Sequence, residues 1–521
     1  MGDARRLRAW LAPLLAGCLL GGCGHSRRSA ELAGAAGAAG MDDDAGLPEL
    51  SGPLLRYVAV GTGFGVSVVA FDELLAPVTI PLTTPSFNTT PPAWSPSGEQ
   101  LAYAELTDAG YWRLEVARAR DFRASSIVAD IRPRAGGGHW LFWLGEGHVL
   151  MASTQAPLPP DTRPPSDIVP LLGGPLDLVE LATGKTVDLG TYDTLHVAPD
   201  GAGAVASNAE SAIVIGADGS TETFALDGGG VALSDDARHL LVYGTDGLPA
   251  VTGRTIAVDN VELEPEGDSN ASLTSATYAR GKWSLDVTLE STARTLRILY
   301  LVPSGVPTVL VPTAGVELVG FDRWGITRGG DRFVVQSRCD PECVWTARLA
   351  DTNQALVGEA PGRVEHVRLS GDEKLLYVST LDLEAGRTTL YAAPFEPTAP
   401  GPSIPIPFAN GEAALVPLGT YPGGPELLFA EDPEGSCSFG TSCSATRFAF
   451  TFDGHTGGSA DLPPSIQGPA WTPDGLGFVA SRDGRLVYVR TLRTDLAYEL
   501  GAADARQIYV PPAWPPSERP R

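Results

Sequence analysis

Thiols are the first chemistry the sequence offers. Among 521 residues stand six cysteines: Cys18 and Cys23 close an apolar run near the start, while Cys339, Cys343, Cys437 and Cys443 form two close pairs downstream. Two thiols a few residues apart join as a local disulfide in an oxidising compartment. A zinc site built from both pairs is the rival, but three and five intervening residues fit paired zinc knuckles poorly. Histidines are few: His25, His139, His148, His196, His239, His366 and His455. Nucleophile, phosphate and metallopeptidase motifs of the forms Gly-x-Ser-x-Gly, Gly-x-x-x-x-Gly-Lys-Ser/Thr and His-Glu-x-x-His are absent. No catalytic residue, metal or cofactor is therefore expected. The competing expectation is an enzyme, a metal-dependent lyase or lactonase, with His196 and His366 turned toward a central channel. His139-Trp140-Leu141-Phe142-Trp143 reads as core packing.

The early cysteines need a leader to present them. Arg5, Arg6 and Arg8 precede an apolar run from Ala9 to Leu20, which is too short to span a bilayer as a stable helix and has the form of an export signal. Leu15-Ala16-Gly17-Cys18 and Leu20-Gly21-Gly22-Cys23 both resemble the bacterial lipobox, whose cysteine receives diacylglycerol. Cys18 carries the better motif, but Cys23 leaves the longer apolar segment and is preferred; an ordinary secretory leader is the bland alternative. This divides the chain into a signal peptide at residues 1–22, an Ala/Gly-rich flexible tether at 23–50, a folded body at 51–514 and a disordered tail at 515–521. Neither Leu19 nor Gly24 is the aspartate that would favour inner-membrane retention, so the expected address is the outer membrane of a bacterial envelope, facing periplasm or surface.

The body repeats one pattern. Pro92-Ala93-Trp94-Ser95-Pro96-Ser97-Gly98-Glu99-Gln100-Leu101-Ala102-Tyr103 reads as strand, tight turn and strand, with Pro96 presetting φ and Gly98 supplying left-handed backbone. Trp471-Thr472-Pro473-Asp474-Gly475 repeats it before Phe478. Looser copies stand at Trp143, Val197, Leu233, Ile326, Leu369 and Thr420-Tyr421, with a poor one near Ala276, about 36 to 54 residues apart. That period is the length of a four-stranded propeller blade. The fold class is therefore all-β, a β-propeller of four-stranded blades. One ring of about eight is expected, although the anchors count to nine or ten units. Three strands near Leu55, Val66 and Val78 lack a leading strand, and Pro511-Pro512-Ala513-Trp514 repeats Pro91-Pro92-Ala93-Trp94 at the other end. The two ends should thus build one blade together and leave no exposed edge. Inserts at Pro157 to Gly174, Glu264 to Ser275, Pro394 to Pro407 and Asp432 to Cys443 are expected as loops.

These copies resemble the Trp-Ser-Pro-Asp-Gly repeat of TolB-like β-propellers, which also occurs beside the catalytic domain of prolyl-oligopeptidase-type enzymes. The resemblance implies the architecture and little about activity. Few residues follow Trp514, so a catalytic α/β domain is not expected beside the repeats. A TolB protein works beside a peptidoglycan-associated lipoprotein, but in this chain a tether stands where TolB carries a separate N-terminal domain, so that partnership is not carried over.

Charge narrows the partners. A net charge of −25, from 37 basic and 62 acidic residues, opposes binding to nucleic acid. The function expected is non-enzymatic: a lipid-anchored envelope module that binds or scaffolds a protein, peptide or glycan, its membrane contact made through the N-terminal lipid.

Overall fold

The computed structural model describes residues 56–514 apart from 63–64, 72–76, 84–88, 120, 132–137, 155–167, 227–228, 245–255, 263–270, 280–281, 290–293, 302–306, 310–331, 338–342, 349–353, 360–362, 373, 383, 395–405, 412–413, 422–423, 433–446, 454–457, 464, 492 and 504. The chain divides into two units, Met1–Ser51 and Gly52–Arg521. The first lies outside the described residues, and with it Cys18, Cys23, the leader and most of the tether. Cys339, Cys437, Cys443, the Ile326 anchor and residues 515–521 also lie outside them. Cys343 begins the Cys343–Arg348 strand.

Short strands with β-branched or aromatic residues, separated by Gly, Pro, Asp and Ser, pair with their sequence neighbours and give an all-β propeller. The second sheet is typical: Ala93–Trp94, Gln100–Leu106, Trp112–Arg118 and Asp121–Ile131 in that order, all antiparallel. Leu101, Ala102, Tyr103 and Ala104 are buried in succession, whereas the outer Thr221–Ala225 strand buries only Phe224. Continuous burial means that both faces of an inner strand are covered, which a neighbouring sheet on each side supplies. The cores accordingly lie between sheets: Val416, Leu428, Phe448 and Phe450 of one sheet pack with Trp471, Phe478 and Val489 of the next.

Both ends of the body meet as expected. Pro77–Pro81, Gly65–Phe71, Arg56–Thr62 and Ala505–Tyr509 form one sheet in that order, with Ala59 opposite Tyr509 and Val60 opposite Ile508. The closing strand ends at Tyr509, so Trp514 lies beyond it and packs with Val58, Phe71 and Tyr488.

Three features depart from expectation. The described strands form nine sheets instead of about eight, and one of them is seven-stranded, running from Gly138–Leu144 to Thr221–Ala225 and holding both the Trp143 and Val197 anchors. Two units fuse because Ile168–Glu180 and Thr186–Val197 are long enough to pair over three stretches separated by two register shifts. The last seven residues of the insert expected as a loop from Pro157 to Gly174 are therefore strand, held by buried Val169 and Leu171. Likewise, Ala271–Ala279 and Ile406–Gly411 take up the ends of two other inserts. The doubtful unit near Ala276 is a full sheet, Ala271–Ala279, Lys282–Leu289, Arg294–Leu301 and Pro307–Val309. Third, His239–Gly244 pairs in parallel with Ala257–Glu262, the one parallel pairing among the described strands.

Candidate functional site

The repeat anchors act first on their own turns. Ser234, Ser370 and Thr472 each donate a hydroxyl hydrogen bond to the aspartate two residues on, Asp236 at 2.6 Å, Asp372 at 2.7 Å and Asp474 at 2.7 Å. The same hydroxyls accept the amide that starts the next strand, from His239, Leu375 and Gly477. The aspartates in turn accept the amides of Arg238, Lys374 and Leu476. Ser97 replaces the aspartate in the Trp94 copy, where it lies 3.1 Å from the Ser95 hydroxyl and accepts the Glu99 amide. Such side-chain caps satisfy turn amides that the strands leave open. The position after the aspartate is left-handed in four copies: Gly98, Gly201, Ala237 and Gly475.

Glycine is needed there for space as well as for φ. A Cβ on Gly98 would lie 2.3 Å from the Ala513 carbonyl oxygen, and one on Gly475 would lie 2.6 Å from the Tyr421 ring. Gly484 has a similar positive φ and open surroundings. Gly484→Ala should therefore cost about 1 kcal/mol from backbone alone. Gly475→Ala should cost at least about 1 kcal/mol more in urea unfolding, because the added methyl must also displace the ring. Equal losses would refute the packing role.

Anchor tryptophans join adjacent sheets. The indole N–H of Trp143 donates to Ala93 O at 2.8 Å, that of Trp471 to Gly419 O at 3.3 Å and that of Trp94 to Tyr509 O at 2.9 Å. Trp514, beyond the closing strand, donates instead to Tyr57 O at 3.0 Å, and the Tyr57 hydroxyl donates to Gly98 O at 2.8 Å. Asp474 has a second role: its Oδ2 pairs with the Arg56 guanidinium at 2.9 Å, which also lies over the Tyr488 and Trp514 rings. Trp94, Gly98, Trp471, Asp474 and Gly475 therefore hold turns, sheet contacts and the closure. Pro96 and Pro473 occupy the turns that these residues cap.

The histidines expected at a channel do not come together among the described contacts. His196 is buried, and its Nδ1 accepts the Leu233 amide at 2.9 Å, joining two sheets. His366 is exposed on the Arg363–Leu369 strand. No group of three His, Cys, Asp or Glu side chains that could hold a metal occurs among the described residues. His139 packs against Trp112 beside the Ser153 hydroxyl, and burial lowers its pKa.

A different polar cluster forms where the repeat is weakest. The parallel strand carries Asp259, whose Oδ2 accepts the Trp283 indole N–H at 2.8 Å and lies 3.2 Å from His239 Nδ1. The Tyr278 hydroxyl is 2.9 Å from His239 Nε2. His239 and Tyr278 stack with centroids 4.1 Å apart, and Trp283 meets Tyr278 edge-on at 5.1 Å. Trp283 is fully buried, and the Asp259 and His239 side chains are 10% and 23% exposed. Burial, then the charges of Asp259 and Asp236, push the Tyr278 hydroxyl above its ordinary pKa, keeping it a donor. Desolvation opposes ionisation of Asp236, but the Ser234 hydroxyl, the Arg238 amide and the charges of His239 and Arg238 outweigh it and leave its pKa lowered. Sequence reasoning missed Asp259, Tyr278 and Trp283. The available signal was the gap in the repeat around Ala276.

Comparisons with known proteins add little to this geometry. No family model and no curated protein matches the chain. Among solved structures, a eukaryotic initiation factor is similar at 11% identity and TM-score 0.48, covering 88% of this chain and 99% of that one. A protein assigned as TolB from Agrobacterium tumefaciens is similar at 12% identity and TM-score 0.29, covering 56% and 91%. An oligogalacturonate lyase in complex with manganese is similar at 11% identity and TM-score 0.29, covering 66% and 87%. Likeness at this level carries no argument about activity, and the propeller assignment stands on the sheets themselves.

Proposed function

We propose that the chain is a lipid-anchored, non-enzymatic propeller of the TolB-like kind that binds or scaffolds a protein, peptide or glycan in a bacterial envelope. One observation carries the reading: the recurring polar residues of the repeat, Ser234, Asp236, Ser370, Asp372, Thr472 and Asp474, are engaged in turn caps and closure instead of converging on a reacting centre. The lipobox-like sequence ending at Cys23 supplies the anchor and the address, and the acidic balance fits a partner with basic or neutral groups.

Metabolic labelling with a radioactive or clickable fatty acid tests the anchor. Cys23→Ala should abolish labelling and release the protein from the membrane fraction, while Cys18→Ala should leave both unchanged. Labelling that survives Cys23→Ala and vanishes with Cys18→Ala would move the anchor; absence of label in the unsubstituted protein would remove it. Cross-linking on intact cells then tests binding, with a specific envelope partner as the expected result.

A further inference from the structure

The Asp259 carboxylate keeps one oxygen open to an incoming donor. Both of its hydrogen-bonding contacts fall on Oδ2, from Trp283 Nε1 and His239 Nδ1. Its Oδ1 has no hydrogen-bond partner among the described residues, and no lysine or arginine there pairs with it. Oδ1 is not sealed in the interior, so an incoming donor can reach it, and the largely buried setting of the side chain strengthens a charge-assisted bond formed there. Beside it stand the stacked His239 and Tyr278 rings, both partly exposed, and the Asp236 carboxylate on the adjoining turn adds negative charge. One anionic oxygen next to a stacked aromatic face suits a planar, delocalised cation, which can bond the oxygen and lie on a ring at once.

We propose that this corner binds the guanidinium of an arginine side chain presented by a partner peptide, with Asp259 Oδ1 as its acceptor and the His239–Tyr278 pair as its stacking wall. The inference rests on the reading of the chain as a peptide- or protein-binding propeller and names the chemistry of the partner. Strand pairing explains why the site exists at this corner: the parallel register sets His239 opposite Ala257 and carries Asp259 two residues further along the same strand, under the hairpin that holds Tyr278 and Trp283.

The test uses the full chain in detergent and three fluorescein-labelled nonapeptides of glycine and serine with a central arginine, lysine or glutamine, read by anisotropy at low salt. The arginine peptide should bind at least about tenfold more tightly than the glutamine peptide, as one charge-assisted hydrogen bond would give. Asp259→Asn should erase that difference, and Tyr278→Phe, which keeps the ring, should preserve it within about twofold. Tyr278→Ala should weaken the arginine peptide about tenfold and leave the glutamine peptide unchanged. Equal binding of arginine and glutamine peptides by the unsubstituted protein would overturn the proposal whatever the variants do, and so would a folded Asp259→Asn protein that still discriminates. A lysine peptide that binds as tightly as the arginine peptide would overturn the guanidinium assignment. If cross-linked envelope partners are retained by Asp259→Asn, this inference fails alone; if the unsubstituted protein captures none, the binding-module reading fails.

Discussion

A chain ending at Ala503 is expected to lose its cooperative thermal transition and to associate in solution. The truncation removes the Ala505–Tyr509 strand and leaves Arg56–Thr62 as an edge. Ala59 to Thr62 then lose their ladder partners, and Trp94 loses the Tyr509 carbonyl that its indole binds. Ile508, Val510 and Trp514 leave the cluster around Val58, Val60, Phe71 and Tyr488, so apolar faces buried in the closed molecule meet water. Partial burial of three large side chains is worth on the order of 5 kcal/mol, comparable to the whole stability of many domains. An exposed apolar edge strand is also a template for pairing with another copy. Melting followed by circular dichroism and sizing by light scattering would check this, with Gly98→Val as a full-length companion, since its side chain would strike the carbonyl of Ala513, just beyond the closing strand. A truncated monomer that melts within about 2 °C of the parent would mean that the sheets are independent, as in an open repeat array, and that closure contributes nothing.

That closure was legible because both ends carry the same Pro-Pro-Ala-Trp run and only one end carries the strands to pair with it. The anchor turns were legible too, since Ser or Thr followed by Asp or Ser and then Gly has few other backbone uses. Strand partnership was not. Ala257-Val258-Asp259-Asn260-Val261-Glu262 puts apolar and polar residues on both faces of a strand, and nothing in that order says whether the neighbour runs parallel or antiparallel. For the same reason nothing singled out Asp259, which the structure places against the Trp283 indole. Fusion of two units into the seven-stranded sheet escaped because Pro157 to Gly174 is rich in proline and reads as loop, while its last residues bury Val169 and Leu171. Local chemistry reports turns well, and it reports tertiary pairing only where a sequence is repeated.

Trp471→Ala should be the most damaging single substitution among the anchors, at about 3–5 kcal/mol, the usual range for removing a large buried aromatic. Trp471 is buried, with its ring 4.1 Å from Phe478, 5.8 Å from Tyr421 and 6.0 Å from Phe450 by centroids, so its removal opens a cavity between two sheets. Trp94 occupies the same place in its copy but is only half-buried, its nearest rings being Tyr57 at 5.3 Å and Phe122 at 6.3 Å. Trp94→Ala should therefore cost less, by roughly 1 kcal/mol or more, since less surface returns to water. Phenylalanine at either position separates the two contributions, because it keeps most of the ring and deletes the indole N–H. The remaining loss should be about 1 kcal/mol, the net worth of one hydrogen bond to a carbonyl, somewhat larger at Trp471 where the abandoned Gly419 oxygen sits in the interior. Urea unfolding of the four variants would check the order. If both alanine variants kept full stability, the anchor tryptophans would be surface residues free for ligand contact, and the repeat could not be what holds one sheet to the next.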